Sequence, residues 1–146
     1  MKNKISIPVI LVSLLIVTLI VSGCSHNSSP FNSAESSFKF VLDNLVKEDY
    51  DNAFSGIVDM RGKPLSEATK QQMQTNAKTA KMAAYEIKEV ADHDLNGASL
   101  PQAVKDAGFE ELKVVSYTAT FEGVGSENEE IVVGKINGEW KVVLAT

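Results

Sequence analysis

The stretch IVVGKINGEWKVVL, residues 131–144, places Asn137-Gly138 between two runs in which apolar and polar residues alternate. Asn-Gly favours a two-residue type I′ turn, because both turn positions need a positive φ angle. A turn at these residues pairs Val133 with Val142 and predicts an antiparallel hairpin. Because side chains alternate between the two faces of a strand, this register places the large apolar residues together. They are Ile131, Val133, Trp140, Val142 and Leu144.

A second alternating segment lies ahead of the hairpin and extends the predicted sheet. Residues 112–121 alternate between a mainly apolar set and a mainly hydroxylated one. The first set is Val115, Tyr117, Ala119 and Phe121, and the second is Val114, Ser116, Thr118 and Thr120. Residues 85–90 predict one more strand. We therefore expect an antiparallel sheet of three or more strands.

The chain before residue 85 has the periodicity of helices. In the first predicted helix, apolar residues recur at spacings of three and four: Phe38, Val41, Leu42 and Leu45. Two further helices are predicted in this part of the chain, over residues 50–58 and from 66 to about 84. One short helix is predicted later, between residues 99 and 108. Helices followed by an antiparallel sheet predict the α+β class, with N-terminal helices packed on a curved antiparallel sheet.

The helical pair, the alternating strand and the closing NGEWKVVL (137–144) resemble the nuclear-transport-factor-two-like fold, also called the ketosteroid-isomerase-like cone. The opening FKFVLDNLVKEDYDNAFSGI (38–57) is similar to small bacterial lipoproteins of that superfamily, which are known only as domains of unknown function. This resemblance implies a cone-like sheet wrapped around helices, with a pocket at its wide end. It implies no particular reaction, because the superfamily hosts enzymes and binding modules alike.

The amino terminus has the three regions of a secretory signal peptide. Two lysines lie within residues 1–4, 17 mostly aliphatic residues follow over 5–21, and two small residues come next. A membrane-spanning helix needs about 20 apolar residues, so the run is short for one. We expect residues 1–23 to be a signal peptide, residues 24–33 a lipidated cysteine with a flexible tether, and residues 34–146 a single α+β domain.

Val21-Ser22-Gly23-Cys24 resembles the lipobox of bacterial lipoprotein precursors, and Cys24 is the only cysteine in the chain. The resemblance implies cleavage between Gly23 and Cys24, and attachment of a diacylglyceryl group carrying palmitate-like chains to the Cys24 sulfur. Two acyl chains hold a protein stably on a bilayer. The expected location is the exported side of a cell membrane or an outer membrane, with the membrane as a partner through this lipid.

The chain is acidic, with a formal net charge of −5 at pH 7. Removal of residues 1–23 takes away Lys2 and Lys4 and leaves 12 basic against 19 acidic residues, a net charge of −7. Nucleic acids and anionic head groups are negatively charged, so this balance argues against either as a partner of the domain surface.

Few residues suggest chemistry. Tyr85, Tyr117 and Trp140 are candidates for the wall of a cone pocket. His93 lies between two aspartates, but neighbouring residues of a strand or turn point apart, so adjacency makes no catalytic pair. No catalytic residue and no cofactor are predicted. Glu127, Glu129 and Glu130 are expected in a solvated loop between strands, with contact to a basic partner as the alternative.

Residues 92–97, DHDLNG, have the D-x-D-x-N-G spacing of a calcium loop through Asp92, Asp94 and Asn96. The bidentate glutamate of such a loop would fall at position 103, which is alanine. A turn stabilised by an Asx side chain accounts for the same residues, so no metal is predicted.

The primary hypothesis is a membrane-anchored lipoprotein whose domain is a non-enzymatic binding or interaction module at the cell envelope. Its partner would be a small ligand or an envelope protein. The alternatives are a pocket enzyme of the isomerase or hydratase type and an exclusion or immunity type of surface lipoprotein. Two titratable side chains within reach of one point in a pocket would favour the enzyme. A large apolar patch without a pocket would favour exclusion.

Overall fold

A computed structural model describes residues 29–145 of the chain. Its elements are α1 (Ala34–Val46), α2 (Tyr50–Ser55), β1 (Ile57–Asp59), α3 (Glu67–Thr79), β2 (Met82–His93), α4 (Gln102–Asp106), β3 (Glu111–Phe121), β4 (Gly125–Ile136) and β5 (Glu139–Leu144). The strands form one sheet in the order β1-β5-β4-β3-β2. The α+β class is therefore confirmed.

Strand β1 is the part of the sheet that the sequence pattern did not reveal. A helix was expected to reach Val58, but α2 ends at Ser55, and Ile57 and Val58 belong to β1. Strand β1 runs parallel to β5 and pairs Ile57 with Val142. The sheet is therefore mixed rather than antiparallel throughout. Two adjacent β-branched residues favour a strand once a neighbouring strand is available to pair with them.

The change from α3 to β2 occurs earlier than the sequence predicts. Helix α3 ends at Thr79 rather than near Ala84, and β2 is longer than the expected 85–90. Pairing with β3 extends from His93 back to Met82. This tertiary pairing outweighs the helical propensity of the alanines between Lys81 and Tyr85. Strand β2 also has two register shifts, which bend it locally.

The Asn137-Gly138 hairpin forms in the predicted register. Ile136 pairs with Glu139, and the pairing continues along β4 and β5. Asn137 has φ 52° and Gly138 has φ 79°, as a type I′ turn requires. This register gives the sheet its main buried face.

The main core lies between helix α1 and one face of the sheet. Phe38, Val41 and Leu42 of α1 pack in one cluster with sheet residues of β3, β4 and β5. Those sheet residues include Val115, Val133, Trp140 and Val142. The buried Ser37 hydroxyl donates a hydrogen bond to the Trp140 carbonyl at 2.7 Å, so the one fully buried polar side chain of α1 is paired.

A second, smaller cluster covers the opposite face near the hairpin. Val104 of α4 and Phe109 pack with Leu112, Val143 and Val58. The segment between β2 and β3 thus brings apolar side chains to the second face of the sheet, including the partly buried Leu95, Leu100 and Ala107.

The rest of that second face is polar, and no helix of residues 29–145 covers it. Three cross-strand pairs join β3 to β4 there: Ser116 with Glu130 at 3.2 Å, Thr118 with Asn128 at 2.7 Å, and Thr120 with Ser126 at 2.8 Å. Such cross-strand pairs stabilise a sheet modestly, and their polar side chains remain in contact with water. The hydroxylated set of β3 therefore lies on the face predicted for it.

Candidate functional site: an apolar cleft at one end of the sheet

The three candidate wall residues lie between α1 and the sheet. The Tyr117 ring packs edge-on against Phe38, with 4.7 Å between ring centroids. Trp140 is only 5% exposed within the main core. The Tyr85 hydroxyl donates a hydrogen bond to the Asp43 carboxylate on α1. The structure thus brings all three to the covered face, where they join α1 to the strands.

Tyr85 is the one of these three that has a charged neighbour within hydrogen-bond distance. Burial, followed by the hydrogen bond to Asp43, raises the pKa of the Tyr85 phenol well above its ordinary value. The Lys39 ammonium lies 3.4 Å from the same hydroxyl and 3.9 Å from the Asp43 carboxylate. A phenol held neutral in this way is a hydrogen-bond donor at physiological pH and not a base.

A different part of the molecule forms an apolar cleft of about 280 Å³. It lies where the last turn of α1, the start of α2, the end of α3, the start of β2 and the end of β3 meet. Its apolar lining is Leu45, Val46, Tyr50, Ala77, Ala80, Met82 and Phe121. Tyr85, Tyr117 and Trp140 are not among the lining residues.

An ion pair lies at the rim of the cleft. The Lys81 ammonium is 2.6 Å from the Glu48 carboxylate. The hydrogen bond that Lys81 donates and the charge of Lys81 lower the pKa of Glu48, and the same hydrogen bond to Glu48, with the charge of Glu48, raises the pKa of Lys81. Both groups are therefore held in their charged forms by each other. This hydrogen bond uses one donor of the ammonium and one oxygen of the carboxylate, and neither group is poised to exchange a proton near neutral pH.

Exposed apolar side chains concentrate at the same end of the molecule. Within residues 29–145, the exposed large hydrophobic residues are Val46 and Val124, at 37% and 67% exposure. Val46 lines the cleft. Val124 lies in the β3–β4 turn, where its N–H donates to the carbonyl of the cleft residue Phe121 at 3.4 Å. Exposed apolar surface next to a cleft is typical of a binding site.

The sequence signal that could have located this cleft was a small one. Val46 follows Leu45 and lies beside the regular apolar stripe of α1, so it faces away from the core. The pairing of Glu48 with Lys81, 33 residues apart, carried no sequence signal.

The DHDLNG segment forms a turn. The Asp94 carboxylate accepts a hydrogen bond from the Asn96 N–H at 2.9 Å, which is the Asx geometry. The Asp92 carboxylate pairs instead with Lys113 at 2.6 Å. Between residues 29 and 145, no group of three or more His, Cys, Asp and Glu side chains is placed to hold a metal ion. His93 is the last residue of β2 and pairs across the sheet with Leu112.

The three glutamates expected in a loop belong to a strand. Glu127, Glu129 and Glu130 lie within β4, and all three are exposed. The expectation of a loop was wrong because β4 continues to pair with β3 through these residues. Side-chain hydrogen bonds from Thr118 to Asn128 and between Thr120 and Ser126 join the two strands in this region.

The predicted signal peptide, the lipobox with Gly23 and Cys24, and the first part of the tether lie outside residues 29–145. In that described range, no helix combines the length and the apolar character that crossing a membrane requires.

Comparison with known proteins found no matching family, no matching curated protein and no matching solved structure.

Proposed function

We propose that this chain is a lipid-anchored protein of the bacterial cell envelope whose folded part binds an apolar group in the cleft. The observation that supports binding is the cleft. Its lining is mainly apolar, and the two exposed valines, Val46 and Val124, lie at the same end of the molecule. The anchor is Cys24, which the lipobox resemblance marks for lipidation after cleavage behind Gly23. No cofactor takes part in this proposal.

The size of the cleft limits what it accepts. Its volume of about 280 Å³ lies just below the usual range for ligand pockets, which is roughly 300–1,000 Å³. A single ring, a short aliphatic chain or one large side chain of an envelope protein fits such a volume. The rim pair Glu48 and Lys81 can bind a polar group of the same ligand.

A cone of the nuclear-transport-factor-two-like type is part of the proposal. Support comes from the helices α1 and α2, which precede most of the sheet, and from the core between α1 and one sheet face. The position of the cleft at one end of that face agrees with the pocket that the resemblance implies. The parallel strand β1 extends the sheet at its edge and leaves this relation unchanged.

We propose binding rather than catalysis because Glu48 and Lys81, the two titratable groups that meet at one point of the rim, form an ion pair with each other, while Glu122 lines the cleft apart from that pair. Glu48 and Lys81 form an ion pair, and the shifts in their pKa values keep both charged near neutral pH. General acid–base catalysis needs a group whose pKa lies near the working pH. An isomerase or hydratase would need such a group here, and the exclusion or immunity alternative would not need a formed cleft.

The cleft is tested by an amide NMR titration of the full-length chain in detergent micelles, with indole as the apolar probe. We expect saturable shifts at Ala77, Met82 and Phe121. Ala77→Phe fills the cleft and should abolish these shifts. Ala68→Phe makes the same substitution at an exposed position of the first turn of α3 and should leave them intact. Equal titrations of both variants would remove the cleft as the site.

The anchor is tested separately. Cys24→Ser should abolish labelling by an alkynyl palmitate analogue and move the protein out of the membrane fraction, because the sulfur is the proposed point of attachment. Gly23, which precedes the cleavage point, remains in this variant. Labelling that survives the substitution would show that the signal at residues 21–24 has been misread.

A further inference from the structure

Strand β4 has a free edge over more than half of its length. Strand β3 pairs with it from Gly125 to Lys135, with no register shift. On the other side, β5 pairs only with Val132–Ile136. No other strand within residues 29–145 pairs with residues 125–131 on that side. This stretch, called here the β4 edge, is about 23 Å long at roughly 3.3 Å per residue.

The backbone groups that face outward from the β4 edge can be identified by alternation. The N–H groups of Trp140 and Val142 donate to the carbonyls of Phe31 and Gly56, on the side of β5 away from β4. The residues of β5 that face β4 are therefore the alternate ones, Lys141 and Val143.

Their partners on β4 are Gly134 and Val132. The same alternation continues beyond the end of β5. Ser126, Asn128 and Glu130 consequently direct their N–H and C=O groups away from β3 and along the free edge.

The other edges of the sheet are less suited to pairing. Strand β2, at the far edge, carries two register shifts, and such bulges twist an edge away from a straight partner. The outer side of β1 is covered by its own turn, through a bridge from Val58 to Pro64 and a hydrogen bond from Asp59 to Lys63. The β4 edge is regular and exposed.

The negative charge of the β4 edge indicates which kind of partner it would bind. Glu127 and Glu129 lie on one face of β4 and Glu130 on the other, so both faces of the edge are negative. The eight ion pairs found within residues 29–145 include none of these three glutamates. A second copy of the chain would bring like charges together across the new pair, which is destabilising.

We propose that the β4 edge binds a basic, extended segment of another protein by strand addition. The incoming strand would pair with Ser126, Asn128 and Glu130 and would place lysine or arginine beside the glutamates. Backbone hydrogen bonds supply affinity in this binding mode, and side-chain complementarity supplies specificity. The proposal concerns a surface other than the cleft and does not depend on what the cleft binds.

The test uses the full-length chain in detergent micelles and a capped ten-residue peptide of alternating threonine and lysine. Amide hydrogen exchange is followed by NMR with and without the peptide. At a peptide concentration about ten times its Kd, we expect the outward amides of Ser126, Asn128 and Glu130 to exchange about tenfold more slowly, by mass action. The amides of Glu127 and Glu129, which face β3, should change little.

The matched variants are Asn128→Pro and Asn128→Thr. Proline removes an outward N–H without removing a bond to β3, and sheet edges tolerate it. Threonine keeps that N–H and keeps a hydroxyl that can pair with Thr118. We expect Asn128→Pro to weaken peptide binding about fivefold or more and Asn128→Thr to leave it nearly unchanged.

Charge is tested with the variant in which Glu127, Glu129 and Glu130 are all changed to glutamine, and with a peptide in which glutamate replaces lysine. Each change should abolish most of the protection. Two results with the basic peptide would overturn the proposal: no protection at roughly millimolar peptide, or equal binding by Asn128→Pro and Asn128→Thr. Equal protection by the acidic peptide would also overturn it. So would dimerisation of the chain through this edge, detected by light scattering.

Discussion

Strands β3 and β4 run side by side for their whole length, yet their two halves have different surroundings. The inner half, residues 111–115 and 131–136, has apolar clusters on both faces of the sheet. The outer half, residues 116–121 and 125–130, has helices over one face of β3 only, and hydroxyl, amide and carboxylate side chains on the other. Both proposed binding surfaces, the cleft and the β4 edge, lie at the outer half.

The two halves differ in what they contribute: the inner half to the packing of the core, and the outer half to an accessible surface. Burial on both faces contributes most of the hydrophobic stabilisation, so the inner half holds the fold together. The outer half contributes pairing through polar groups that water can reach, so its side chains and its edge stay available to partners. If the two proposed surfaces bind partners, stability and binding are separated along the strands.

The largest effect is expected from truncation of a core side chain in the inner half. Leu112→Ala removes a side chain that is 3% exposed in the second cluster, and should cost about 2–5 kcal/mol of unfolding free energy. Thr120→Ala, in the outer half of the same strand, should cost less than about 1 kcal/mol. Urea unfolding of both variants measures the difference. Similar losses would mean that the two halves contribute alike.

A smaller loss is expected from overpacking the same region. Gly134→Ala would place a Cβ 2.5 Å from the Phe109 ring and 3.1 Å from the Leu112 side chain. This crowding should destabilise the protein by about 1–3 kcal/mol. Ser126→Ala, its counterpart on the outer half of β4, should change stability by less than about 1 kcal/mol. A neutral Gly134→Ala would show that the second cluster is loosely packed.

The smallest effect concerns Tyr85 of β2, which pairs with Ala119 in the outer half of β3 and donates a hydrogen bond to Asp43. The folded-state pKa of Tyr85 is raised above its unfolded value of about 10. Below that pH, the phenol is protonated in both states, so its contribution to stability is complete. Above it, the unfolded chain loses the proton first, and stability should fall as the pH rises.

Tyr85→Phe should therefore reduce the loss of stability between about pH 9 and pH 11, without removing it, because burial also raises the pKa of Tyr117. Urea unfolding at both pH values measures this. Asp43→Asn provides a control that keeps the phenol and removes its charged acceptor, and it should have an intermediate effect. A pH dependence identical in wild type and Tyr85→Phe would contradict the assignment.

Sequence periodicity predicted the parts of the fold that are determined by local alternation. The turn at Asn137-Gly138 requires positive φ at two positions, and this fixed the register of β4 with β5. The two faces of β3 followed from alternation between Val115 and Thr120 in the same way. These are the regions where local preference and tertiary packing agree.

The sequence did not reveal features that depend on distant partners. The spacing of Ile57 and Val58 in the sequence is that of a helix. They form a strand because they pair with β5, which lies far away in the chain. The β4 glutamates resemble a loop in the sequence because the strand that pairs with them, β3, lies outside their own segment. The cleft is lined by residues of five elements, and no short motif encodes such a meeting point.

Amide hydrogen exchange along β4 of the free full-length chain tests this division most directly. In the inner half, residues 131–136, we expect slow exchange at every position, because β3 and β5 together bond all of these amides. In the outer half, we expect alternation, with fast exchange at Ser126, Asn128 and Glu130 and slower exchange at Glu127 and Glu129. Uniform protection across residues 126–136 would contradict the account, because it would mean that the outer half has no free edge.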